Sequence, residues 1–171
     1  MSMNIIKYKE KKIFVTGISG SGKTTFAHEY SKKFNYPYIN FDENWRYYKP
    51  PEEEFNEIIK KYTNEFITDA IPFGTTNGRY MFLDYYESQK NDIKIVSVCC
   101  TNQEEFMKRM SQKKYKLTDP YGEYYCFYFV TLKNIYSGLN IEYFDSYLNE
   151  FITEEELYKR IDWINKTDIL S

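Results

Sequence analysis

Gly17-Ile18-Ser19-Gly20-Ser21-Gly22-Lys23-Thr24 satisfies the pattern G-x-x-x-x-G-K-[ST] at every fixed position. In front of it, Lys12-Ile13-Phe14-Val15-Thr16 is a short apolar run suited to a buried strand. Behind it, Thr25 to Phe34 repeats apolar residues at helical spacing. Strand, glycine loop and helix together predict a cradle for the phosphates of a nucleoside triphosphate. Glycines at 17, 20 and 22 let the backbone take positive φ and bring its N–H groups close to phosphate oxygens. The unpaired N–H groups and positive dipole end of the helix face the same anion. Lys23 reaches the β- and γ-phosphates, and the Thr24 hydroxyl is suited to ligate Mg²⁺. The expected nucleoside triphosphate-binding set is Gly17, Ser19, Gly20, Ser21, Gly22, Lys23, Thr24 and Thr25.

Working outward, Asn35-Tyr36-Pro37 is a turn signal, and Tyr38 to Phe41 reads as a second strand ending at Asp42. Pro50-Pro51 opens a helix whose Phe55, Ile58, Ile59 and Tyr62 share one face. Glu65 to Ala70 predicts a third strand, Ile71 to Gly78 a loop, and Arg79 to Ser88 a helix. Asp92 to Cys100 is the strongest strand in the chain, nearly continuous and β-branched, and is expected to be central. Thr101 is placed as the cap of a helix through Glu104, Phe106, Met107 and Met110. Asn140 to Tyr147 holds a short last strand, and Thr153 with Glu156 forms a capping-box pattern on the final helix. Strands alternating with helices predict one α/β domain over residues 1–171, with a parallel, doubly wound sheet.

Composition narrows the function classes. Lys+Arg is 23 against 25 Asp+Glu, a net charge of −2, so the basic excess of a long nucleic-acid interface is missing. That balance favours a small acceptor. No apolar run is long enough to span a membrane and no signal-peptide pattern opens the sequence, so a cytoplasmic protein is expected. Cys99, Cys100 and Cys126 lack C-x-x-C spacing, which argues against structural zinc.

Ligands of open α/β sheets bind beyond the carboxyl ends of the strands, so polar residues there are the site candidates. Asp42 is suited to orient or deprotonate an acceptor hydroxyl, with Glu43 as a spare carboxylate. Asp69, ending an apolar strand, is suited to hold Mg²⁺ through water. Arg109 and Lys113 lie four apart, on one helix face, and predict a cationic lid (about residues 109–122) over the triphosphate. Arg46 and Arg79 follow strand ends and are candidates to grip the acceptor. His28 sits inside the helix after the glycine loop and is read as packing or surface.

These residues resemble the small P-loop kinases of the nucleoside and nucleotide kinase group. Phe66 to Phe73 is similar to the strand-three segment of nucleoside monophosphate kinases, with Ala70 where glycine is usual. Ile39 to Arg46, and Glu105 to Lys113, look like the strand-two and lid-helix segments of phage-type polynucleotide 5′-hydroxyl kinases. The resemblance implies a three-layer α/β/α P-loop NTPase fold, ATP and Mg²⁺ as cofactors, and Asp42 as base with Arg109 and Lys113 in the lid. It also implies a nucleoside or nucleotide as acceptor. Two alternatives stay open: a hydroxyl on DNA or RNA as acceptor, and a nucleotide-binding switch without acceptor chemistry.

Overall fold

Lys12-Ile13-Phe14-Val15-Thr16 forms strand β1 (Lys12–Thr16), buried along its whole length. The computed structural model describes residues 7–9, 11–17, 20–39, 56–57, 59–61, 64–69, 76–112 and 139–163, with the backbone alone for 76–81. In chain order the elements after β1 are α1 (Lys23–Phe34), β2 (Tyr38–Ile39), β3 (Phe66–Thr68) and α2 (Thr76–Gln89). Then come β4 (Ile93–Cys99), α3 (Gln103–Ser111), β5 (Ile141–Asp145), β6 (Glu150–Ile152) and α4 (Glu154–Arg160). The strands make a six-stranded sheet in the order β2-β3-β1-β4-β5-β6. β1 and β2 both pair with β3 in parallel, whereas β5 and β6 pair antiparallel. The fold is therefore α/β with a mostly parallel sheet.

The chain clusters into two compact units, one built around Ile6–Thr16 and Thr24–Val96, the other around Gly17–Lys23 and Ser97–Ser171. The first owes its core to β1 and β3, each buried along its whole length, and to the apolar residues of α1 and α2. Phe14 is fully buried, and its ring meets Phe66 and Phe82 edge-on at 5.6 and 5.0 Å. The register Phe14↔Thr68 brings the carboxyl ends of β1 and β3 to the same edge, so Asp69 emerges there. His28 lies on the exposed side of α1, its ring 4.4 Å from that of Tyr38.

The second unit buries Val98, Phe106, Phe144, Leu157 and Ile161 in its apolar interior. One buried carboxylate organises its polar side. Asp145 is fully buried, accepts from Thr101 Oγ1 at 2.7 Å and pairs with Arg160 at 2.7 Å. Its other oxygen accepts from the Tyr147 N–H at 2.9 Å. Removing one charge of such a buried pair strands the other. Asp145→Asn is expected to destabilise the protein by about 2 kcal/mol in urea denaturation. A change within experimental error would mean that Arg160 is satisfied by Glu150 and Glu156 alone, which it also contacts at 2.7 and 2.9 Å.

Several sequence expectations need correcting. Helix α2 begins at Thr76, taking residues 76–78 from the expected loop and placing Gly78 inside a helix. The cap of α3 is Asn102, whose side chain accepts from the Glu105 N–H, because Thr101 is committed to Asp145. The expected last strand is followed by a further one, β6, so the sheet is not wholly parallel. Thr153 does cap α4, accepting from the Glu156 N–H at 3.1 Å. The Glu156 carboxylate contacts Arg160. Residues 56–57 and 59–61 are helical, as expected after Pro51.

Candidate phosphate-binding site

The glycine loop leaves β1 at Gly17 and enters α1 at Lys23. The first turn of α1 carries Lys23, Thr24 and Thr25 and no acidic residue, so nothing there opposes an anion at its free N–H groups. Gly20 and Gly22 have φ of +81° and +97°, conformations that side chains disfavour. Space is short as well: a Cβ at Gly20 would stand 2.8 Å from Met110 Sδ, and one at Gly22 3.0 Å from Ser146 Cβ. Gly17 also has positive φ, at +158°, and a Cβ there would lie 2.7 Å from the Val98 carbonyl oxygen.

Behind the loop stands Arg109. From α3, its Nη1 donates to the carbonyl oxygens of Gly20 and Ser21, both at 3.3 Å, and to Ser146 Oγ at 2.8 Å. Nη2 donates to the Ser146 carbonyl at 3.4 Å, while Nε pairs with Glu105 at 3.1 Å and so sets the side chain's direction. Ser146, in the turn after β5, donates its Oγ–H to the Ser21 carbonyl, and its N–H donates to the Cys99 carbonyl at 2.8 Å. Nearby, burial pushes the Cys100 thiol above its usual range, against the lowering charge of Arg109. A thiol held protonated is a poor nucleophile.

Asp69 follows β3 and is 4% exposed, yet its Oδ1 has no hydrogen-bond partner among the described residues. A buried carboxylate oxygen left over in this way fits a hard cation or a cation-bound water. Thr24, in the same unit, offers an exposed hydroxyl at the start of α1. Among the described residues no group of three or more His, Cys, Asp or Glu gathers. Mg²⁺ does not require one, because it is usually held by one or two protein oxygens together with substrate phosphates and water.

Of the sequence candidates, the structure brings Gly17, Gly20, Ser21, Gly22, Lys23 and Arg109 into one unit. Thr24, Thr25 and Asp69 belong to the other unit, as does Arg79, which lies in α2. Ser19, Asp42, Arg46 and Lys113 fall outside the described residues, as does the lid beyond residue 112. Ser146 was not expected at all. Its contact with Ser21 spans 125 residues of sequence, and a serine after a strand carries no local signature.

The family described as AAA domain matches residues 9–114. No curated protein matches the chain. Among solved structures, a shikimate kinase from Bacteroides thetaiotaomicron superposes with a TM-score of 0.52 at 16% identity, covering 94% of this chain and 99% of that one. A gluconokinase from Sinorhizobium meliloti 1021 gives 0.52 at 14% identity, covering 91% and 92%. At these identities the likeness is one of fold. Among the described residues no helix is long and apolar enough to cross a membrane.

Proposed function

The chain belongs to the AAA domain family, and we propose that it is an ATP-dependent phosphotransferase moving the γ-phosphate of ATP to a hydroxyl or phosphate of a nucleoside or nucleotide. The observation that carries this reading is the glycine loop with its three positive-φ glycines opening into an α1 whose first turn holds Lys23 and Thr24. Loop N–H groups and Lys23 bind the phosphates and orient the γ-phosphoryl group for attack. Thr24 and Asp69 would hold Mg²⁺, which would supply charge neutralisation for the phosphate oxygens. Asp42 orients the acceptor hydroxyl or takes its proton as the hydroxyl oxygen bonds to the γ-phosphorus, and ADP leaves. Arg109 acts through the loop whose carbonyls it holds, Lys113 supplies positive charge towards the triphosphate, and Arg46 with Arg79 grips the acceptor.

The two solved neighbours are named as kinases, which supports phosphoryl transfer. The AAA domain description names no acceptor, which keeps hydrolysis of ATP without an acceptor as the second reading. Calorimetric titration of the full chain with Mg²⁺ tests the binding step that both readings share. ATP is expected to bind at least about 100-fold more tightly than AMP, because the loop's charged contacts are made to the outer phosphates. Equal affinity for ATP and AMP would remove the loop from the site.

A further inference from the structure

We infer that Ser146 is a positioning residue for the phosphate loop, acting with Arg109 to aim two backbone N–H groups at the polyphosphate of the nucleotide. The inference rests on the loop being the ATP site. A trans peptide holds its C=O and the next residue's N–H on opposite sides of one rigid plane, and no cis bond is present among the described residues. Fixing a carbonyl therefore fixes the direction of the N–H that follows it. The Gly20 carbonyl is held by Arg109, and the Ser21 carbonyl by Arg109 and by Ser146 Oγ. The N–H groups of Ser21 and Gly22 are thereby turned away from the clamp.

Ser146 is well placed to act as a fixed post. It is 9% exposed, its N–H is tied to the Cys99 carbonyl at the end of β4, and its Oγ also lies 3.1 Å from that oxygen. The turn behind it is pinned by Asp145, whose Oδ1 accepts from the Tyr147 N–H. Arg109 is held by Glu105 at one end and by Ser146 at the other. Gly22 passes within 3.0 Å of Ser146 when given a Cβ, so the post touches the loop where it turns into α1. The ligand class is a polyphosphate chain, recognised without regard to the base it carries.

The test compares wild type with Ser146→Ala and Ser146→Cys, the second keeping nearly the same volume while exchanging a strong hydrogen-bonding group for a weak one. Affinities for Mg·ATP and for inorganic tripolyphosphate are measured on the full chain, alongside thermal midpoints. Both ligands are expected to weaken by the same factor, about tenfold, in either variant that folds. The midpoint of Ser146→Cys should stay within about 3 °C of wild type. Wild-type affinity for both ligands in Ser146→Cys would overturn the inference while leaving the functional reading intact. A loss for ATP without a loss for tripolyphosphate would also overturn it. A wild-type protein that binds neither ligand would overturn both.

Discussion

Replacing Lys23 by alanine is expected to lower kcat/KM for phosphoryl transfer by on the order of 10³-fold, with little change in stability. Lys23 is the first residue of α1 and is partly exposed, so its loss opens no cavity in the core. Its ammonium group is a compact point charge on a flexible stem, able to follow the γ-phosphoryl group as charge develops on its oxygens. That stabilisation is made more strongly in the transition state than in the ground state, so kcat should fall further than KM rises. Steady-state kinetics on Lys23→Ala decides the matter. A fall in affinity with kcat preserved would show that Lys23 binds ATP without assisting transfer.

The second large effect is expected at Gly22. Valine there must adopt φ near +97°, a strain of about 3 kcal/mol for a β-branched side chain. Its Cβ would also meet Ser146 Cβ at 3.0 Å, and that residue cannot retreat because its N–H is tied to the Cys99 carbonyl and its carbonyl accepts from Arg109. The loop is expected to relieve the strain by leaving its phosphate-binding shape. ATP affinity of Gly22→Val should drop by at least about 100-fold, while the core packing reported by the thermal midpoint changes little. An unchanged affinity would mean that phosphates are bound by the helix end alone, with the loop geometry irrelevant.

The parts of the fold legible in sequence were those with a local cause. β1 and β4 are continuous apolar runs, α1 and α3 have helical periodicity, and the loop between β1 and α1 has a fixed pattern. The rest depended on partners far along the chain. Thr101 and Asn102 are both suitable caps by type, and Asp145, met in the fold, takes Thr101 and leaves the cap to Asn102. β6 escaped because Glu150-Phe151-Ile152 is three residues long and opens with a charge, although Asn149 at φ +56° marks the turn before it. Gly78 argued for a loop, since glycine inside a helix costs about 1 kcal/mol relative to alanine, yet α2 runs through it.

The site divides in the same way. The loop residues and Lys23 could be read from the motif, and the placement of Asp69 followed from the rule that ligands gather beyond strand ends. Arg109 was singled out for its charge and spacing, but its hydrogen bonds to the Gly20 and Ser21 carbonyls were not foreseeable from a basic cluster. Those bonds join α3 to the loop and make Ser146 part of the same arrangement.

The most direct test is transfer of γ-labelled phosphate from ATP with Mg²⁺. Pooled nucleosides, pooled nucleoside monophosphates and 5′-hydroxyl oligonucleotides are offered as acceptors, with Asp42→Asn run alongside. Label should move to a nucleoside or monophosphate and be lost in the variant. Label on oligonucleotides alone would make the acceptor a nucleic acid, and ATP hydrolysis with label on none of them would contradict the phosphotransferase account.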